Sequence, residues 1–143
     1  MKYNTAFFSL YENIYLVLSD NFGEKKALFI LSKVFEKGLK KSYDSLGFTN
    51  GKPEDFKRVV SKRDKSVGLI VKISVVSSDK IIYRFYTDPF PSFKGFVEPE
   101  KLDLTYLNFK VMYLLGNTWS YTTTKHIWRG DKYTEHVISN KGS

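Results

Sequence analysis

The residue types able to do chemistry concentrate near the C-terminus, where His126 and Glu135 flank the dipeptide Gly130-Asp131. A Gly/Asp turn between two β-rich runs predicts a hairpin. With Gly130 and Asp131 as the two central residues, Trp128 opposes Tyr133, His126 opposes Glu135 and Thr124 opposes Val137, all on one face. Directly opposed Cβ atoms lie about 4.5–5.5 Å apart, close enough for an imidazole and a carboxylate to share a hydrogen bond. Such a pair orients the imidazole as a general base and raises its pKa. The alternative is a structural cross-strand polar pair beside an aromatic one. A three-residue loop would destroy this pairing. His136 falls on the opposite face near Lys125, which argues against a zinc site built from the two histidines, and no metal is expected.

Arg84 is the second unusual residue, because its neighbours are Ile81, Ile82, Tyr83, Phe85 and Tyr86. A buried guanidinium needs an anion, supplied either by the protein or by a ligand carboxylate. An outward edge arginine stacked on Tyr86 is the other reading. No G-x-S-x-G elbow, phosphate-binding loop or dinucleotide fingerprint is present, and the sequence points to no cofactor.

The elements that must position these groups follow from periodicity. Phe7, Tyr11, Ile14 and Leu18 predict a first helix from Thr5 to Leu18, which Asp20, Asn21 and Gly23 then interrupt. Leu28, Leu31, Phe35, Leu39, Tyr43 and Leu46 place a second helix over about Glu24 to Leu46, with Gly47 as its stop. Pro53 opens a short third helix through Val60. From Val67 to Val76 the period changes to two, the mark of a strand, and Ser77 to Lys80 turn the chain into a second strand from Ile81 to Thr87. Pro89 and Pro91 make the next stretch an aromatic loop. Leu102, Tyr106, Phe109 and Tyr113 predict a fourth helix between Pro99 and Gly116, with Asp103 facing elsewhere. Trp119–Trp128 and Tyr133–Ile138 form the last hairpin. The expected fold is one α+β domain over 1–143: a four-stranded antiparallel sheet of two hairpins with helices on one face.

The composition bounds the function. The chain of 143 residues has no cysteine, which excludes disulfides, thiolate-held metals and a cysteine nucleophile. The formal charge of +8 invites phosphate partners. However, Glu54, Asp55 and Asp64 are interleaved with Lys52, Lys57, Arg58, Lys62, Arg63 and Lys65 in the densest basic cluster, which argues for a solvated helix face and against nucleic acid. No apolar run reaches the roughly 18–20 residues of a membrane span, and the start lacks a secretory pattern, so a cytoplasmic protein is expected. Twelve Phe, ten Tyr and two Trp exceed what helix stripes use. Rings such as Phe90, Phe93, Phe96, Trp119, Tyr121 and Trp128 either pack densely or line an apolar hollow between helices and sheet.

The stretch from Trp128 to Ile138 resembles the closing hairpin of the 4-vinyl reductase domain family and of the related L-2-amino-thiazoline-4-carboxylic acid hydrolase-like family. Their pattern is Gly-Asp-x-x-Cys-x-Phe before an aliphatic residue. Gly130, Asp131 and Ile138 match it, Thr134 stands for the cysteine and His136 for the phenylalanine. The resemblance implies a small-molecule-binding α+β domain, often dimeric, with a pocket between sheet and helices. The missing cysteine removes any thiol chemistry. The reading favoured at this stage is a ligand-binding or sensory domain for an apolar or carboxylated molecule. Arg84 is the anion partner and Trp119, Tyr121, Trp128, Phe90 and Tyr133 are ligand-binding residues. The alternatives are a hydrolase-like enzyme using His126 and Glu135, or an interaction module dimerising through helix one.

Overall fold

The computed structural model describes residues 2–142. Four helices, α1 (Thr5–Phe22), α2 (Glu24–Leu46), α3 (Pro53–Ser66) and α4 (Pro99–Leu115), accompany four strands, β1 (Val71–Ser77), β2 (Lys80–Phe85), β3 (Trp119–Lys125) and β4 (Thr134–Asn140). The fold is α+β. The sheet is antiparallel throughout with order β1-β2-β4-β3, so β4 pairs with β2 as well as with its hairpin partner.

The helix boundaries have local causes. Asn4 Oδ1 accepts the Phe7 N–H at 3.0 Å and caps α1. α1 runs four residues past Leu18 because Asp20 and Asn21 stay helical and the break waits for Gly23, whose φ is 83°. α3 extends to Ser66 rather than Val60. Its acidic first turn (Glu54, Asp55) and basic last turn (Arg63, Lys65) complement the helix dipole, and its apolar stripe continues through Val59 and Val60 to Asp64. Consequently β1 starts at Val71, and the alternation at Val67 and Leu69 belongs to a connecting segment instead. That segment is held by the N-terminus, where the Asn4 N–H donates to the Val67 carbonyl at 3.0 Å.

The helices cover one face of the sheet. α3 packs on β1, α4 on β3, α2 on both α3 and α4, and α1 on α2. Ile73, Ile81, Tyr83, Phe85, Thr134, His136, Ile138 and Trp119 are the buried strand residues facing them. α4 is buried on two sides, between α2 and the sheet, and therefore hides Asp103, Thr105 and Lys110 together with its apolar residues. The expectation that Asp103 faces away from the core is corrected: its exposure is 2%. Among the described residues no helix is long and apolar enough to cross a membrane.

Candidate functional site

The predicted His126–Glu135 pair does not form. Thr122 pairs with Val137 and Thr123 with His136, after which a bulge between Thr123 and Lys125 brings Lys125 opposite Glu135. The chain then makes a 3-10 turn at Ile127–Arg129 instead of continuing as strand. The Asp131 carboxylate ties this turn down by accepting the His126 backbone N–H at 2.8 Å. The connection is thus longer than two residues, and bulge and turn together send the His126 side chain to the helix side of the sheet while Glu135 stays on the open side.

Each histidine has its own surroundings. His126 Nδ1 accepts the Trp128 N–H at 3.1 Å, so in the neutral ring the proton sits on Nε2, which points to Asp103 Oδ2 at 3.9 Å. Both ring nitrogens are therefore directed at protein groups. The cavity beside them, between Asp88, Asp103, Tyr106 and Trp128, holds about 10 Å³, too little for a substrate. His136 is fully buried on the core face, contrary to the expected placement near Lys125. Its Nδ1 lies 2.8 Å from Thr123 Oγ1, and burial pushes the imidazole down to about 4. Among the described residues no three His, Asp or Glu side chains cluster closely enough to hold a metal ion.

Arg84 and Glu135 meet each other on the open face, with Arg84 Nε 2.7 Å from Glu135 Oε2. The Thr124 hydroxyl and this guanidinium hold the Glu135 carboxyl below its usual range. The Arg84 guanidinium also covers the Tyr133 ring at 4.7 Å. Arg84 is thus an outward arginine with a protein partner, and the buried alternative is excluded. Trp119 and Tyr121 border a shallow cleft between α4 and β3, and Trp128 Nε1 donates to Asp88 at 2.7 Å. Of the six predicted ligand residues, only Phe90 reaches the cavity described next.

That cavity lies beneath the N-terminal half of α1, enclosed by α2, α3, α4, the segment before β1, the end of β2 and the loop after it. Its volume is about 50 Å³, and its walls include Phe7, Phe8, Tyr11, Phe35, Leu39, Leu69, Phe85, Phe90 and Tyr106. This enclosed space lies beside α1, where α2, α3 and α4 meet Phe85 at the end of β2. Gly38 is the α2 residue at its edge. It follows Leu31 and Phe35 on the buried stripe, and a Cβ there would meet nothing closer than the Tyr11 hydroxyl at 3.7 Å. Arg63 closes the same edge from α3. Its Nε donates to Ser42 Oγ at 3.1 Å, its guanidinium stands 5.5 Å from the Phe7 ring centre, and it forms no ion pair among the described residues. Lys41 and Lys62, next in chain to Ser42 and Arg63, are exposed and likewise lack a carboxylate partner among those residues.

Asp64 and Lys110 form the polar floor, and the Tyr83 hydroxyl stands behind them. The Tyr83 hydroxyl donates to Asp64 Oδ2, and Lys110 Nζ donates to Tyr83 Oη at 3.0 Å and to Asp64 Oδ1 at 3.3 Å. Burial pushes the Lys110 amine below its usual range, against the pull of Asp64. Burial, with the Asp64 charge added, pushes the Tyr83 phenol far upward. A sequence signal for this group exists. Lys110 stands four residues after Tyr106 and four before Leu114, and Asp64 four after Val60, so each charge occupies an apolar stripe position.

The N-terminal segment packs against the residues that wall the cavity. The Tyr3 hydroxyl donates to the Pro89 carbonyl at 2.7 Å, the Tyr3 ring stacks on Phe8 at 4.9 Å, and Phe8 meets Phe90 edge-on. Lys2 and Tyr3 cross directly over Gly68, whose φ is 82° and where any Cβ would overlap the Lys2 carbonyl. In comparison with known proteins, no family model and no curated protein matches the chain.

Proposed function

We propose that this domain binds a small apolar molecule carrying an anionic group, with the apolar part in the cavity beneath α1 and the anion on Arg63. The carrying observation is a largely apolar cavity whose edge holds one glycine and one guanidinium that forms no ion pair among the described residues. Ligand sites combine apolar walls with a few placed polar groups in this way. The reading accords with the ligand class implied by the 4-vinyl reductase and hydrolase-like resemblance, but moves the anion partner from Arg84 to Arg63.

The present volume of about 50 Å³ is well below the roughly 300 Å³ at which ligand pockets begin. A longer ligand enters by lifting the N-terminal segment. The tethers to break are the Tyr3–Pro89 and Asn4–Val67 hydrogen bonds, each contributing about 1 kcal/mol net. That cost is small against the burial of an alkyl chain at about 0.8 kcal/mol per methylene.

Calorimetric titration with octanoate and with octanol tests this reading. Octanoate binds at least about tenfold more tightly, because a hydrogen bond to a charged group contributes about 1.5–3 kcal/mol. Arg63→Gln removes the difference, and Gly38→Leu blocks both ligands by filling the edge. Equal binding of acid and alcohol, or no binding of either, refutes the proposal.

A second reading, self-association through α1, rests on that helix's outer face, where Leu10 and Val17, two turns apart on one side, are 58% and 61% exposed and Leu16 is exposed next to Val17. Solitary apolar residues are ordinary, whereas a row of them on one helix is an interface signal. Sedimentation equilibrium is expected to show a dimer that Leu10→Lys with Val17→Glu dissociates. A monomer at all concentrations removes this reading.

A further inference from the structure

Lys110 has a role to fill beyond the ion pair. An ammonium buried at 3% exposure is costly, and this one lines a cavity instead of being sealed in the core. Around Nζ stand Asp64, the Tyr83 hydroxyl, and the rings of Tyr83, Phe85 and Tyr106 at 5.3, 5.7 and 5.5 Å. We propose that Lys110 is a covalent carbonyl-binding residue, whose amine condenses with a short aliphatic aldehyde or ketone admitted to the cavity. The proposal rests on the cavity receiving ligands, as inferred above.

The chemistry uses only groups at the floor and just behind it. The amine lone pair attacks the carbonyl carbon, the C–N bond forms as the C=O π pair moves to oxygen, and one proton passes from nitrogen to that oxygen to give a carbinolamine. The nitrogen lone pair then forms the C=N bond as the C–O bond breaks, and the nitrogen's second proton ends on the departing hydroxyl, so that water leaves and an imine remains. Nothing is oxidised or reduced. The Asp64 carboxylate and the Tyr83 hydroxyl are both hydrogen-bonded to Nζ and placed to pass the protons. The reactive species is the neutral amine, which burial favours. The Arg63 charge on the neighbouring turn of α3 adds to that preference, and Asp64 opposes it. About 50 Å³ of cavity, at roughly 10–15 Å³ per water, admits a molecule of only a few heavy atoms without displacing the N-terminal segment.

The test treats the intact protein with butanal and sodium cyanoborohydride at pH 7, the latter supplying the hydride that fixes the imine, and maps the alkylated lysines by mass spectrometry. Lys110 is expected to react at least severalfold faster than exposed lysines such as Lys37 and Lys41, because the cavity holds the carbonyl against its amine beside Asp64 and the Tyr83 hydroxyl. The mapping uses the wild-type chain, so it does not depend on a variant folding. If Lys110 reacts no faster than those lysines while octanoate still binds, the imine proposal is overturned and the binding site stands. If octanoate binding also fails, both are overturned.

Discussion

Replacing His136 by phenylalanine should flatten the acid side of the stability profile. The imidazole is fully buried among Tyr83, Phe85 and Tyr121, whose rings meet it edge-on at 5.8–6.1 Å. Burial holds it at about 4 in the native state against 6.5 when unfolded. Between those values the unfolded chain binds a proton that the folded chain refuses. The stabilisation is therefore complete above about pH 6.5 and is lost as pH falls towards 4. At about 1.4 kcal/mol per unit, the full loss is about 3 kcal/mol. Urea unfolding of wild type and His136→Phe across pH 4.5–7.5 isolates this contribution, because Glu135, Glu100 and the other carboxylates titrate in both proteins. The larger ring adds an overpacking cost of about 1–3 kcal/mol, which does not vary with pH. The wild-type curve should fall relative to the variant by up to about 3 kcal/mol on acidification. Parallel curves would refute the placement of a neutral, sealed imidazole on the core face.

At the cavity floor, Lys110→Met leaves Asp64 buried without its cation and should cost about 3–5 kcal/mol, while adding Asp64→Asn restores much of that loss. Additive losses in the urea double-mutant cycle would show that the two side chains do not pair. Gly68→Ala places a left-handed φ on a residue with Cβ, at about 1–2 kcal/mol, and pushes Lys2 off its crossing. Faster hydrogen exchange at the Asn4 amide is the expected sign, and unchanged exchange contradicts the crossing. Gly38→Ala puts a Cβ in ordinary contact with the Tyr11 hydroxyl in the middle of α2 and should raise stability by about 0.5–1 kcal/mol while weakening octanoate binding. A destabilised variant would mean that the edge of the cavity is closed.

Local signals in the chain foretold the helices better than the site. α2 begins and ends where Gly23 and Gly47 place it, because a glycine at positive φ is a purely local device. The stripe Leu102, Tyr106, Phe109, Tyr113 finds α4, yet one stripe does not reveal a helix covered on two sides, so it leaves Asp103 facing away and gives no place to Lys110. The C-terminal hairpin failed for a related reason. Gly130-Asp131 does sit in the turn, but Asp131 caps the His126 amide within a longer connection, and the bulge at Thr124 is invisible in a pattern of period two. Arg84 stood out by its apolar neighbours, although alternation alone puts it beside Lys72 and Glu135 on the open face of β2. The cavity itself arises from contacts more than eighty residues apart, such as Tyr3 with Pro89, which no local window contains.

A crystal structure of the protein grown with octanoate tests the central claim most directly. The account predicts the carboxylate within hydrogen-bond distance of the Arg63 guanidinium and the chain between Phe7, Phe35 and Phe90, with Tyr3 released from Pro89. Octanoate seated elsewhere, or a cavity unchanged and closed at saturating ligand, would contradict it.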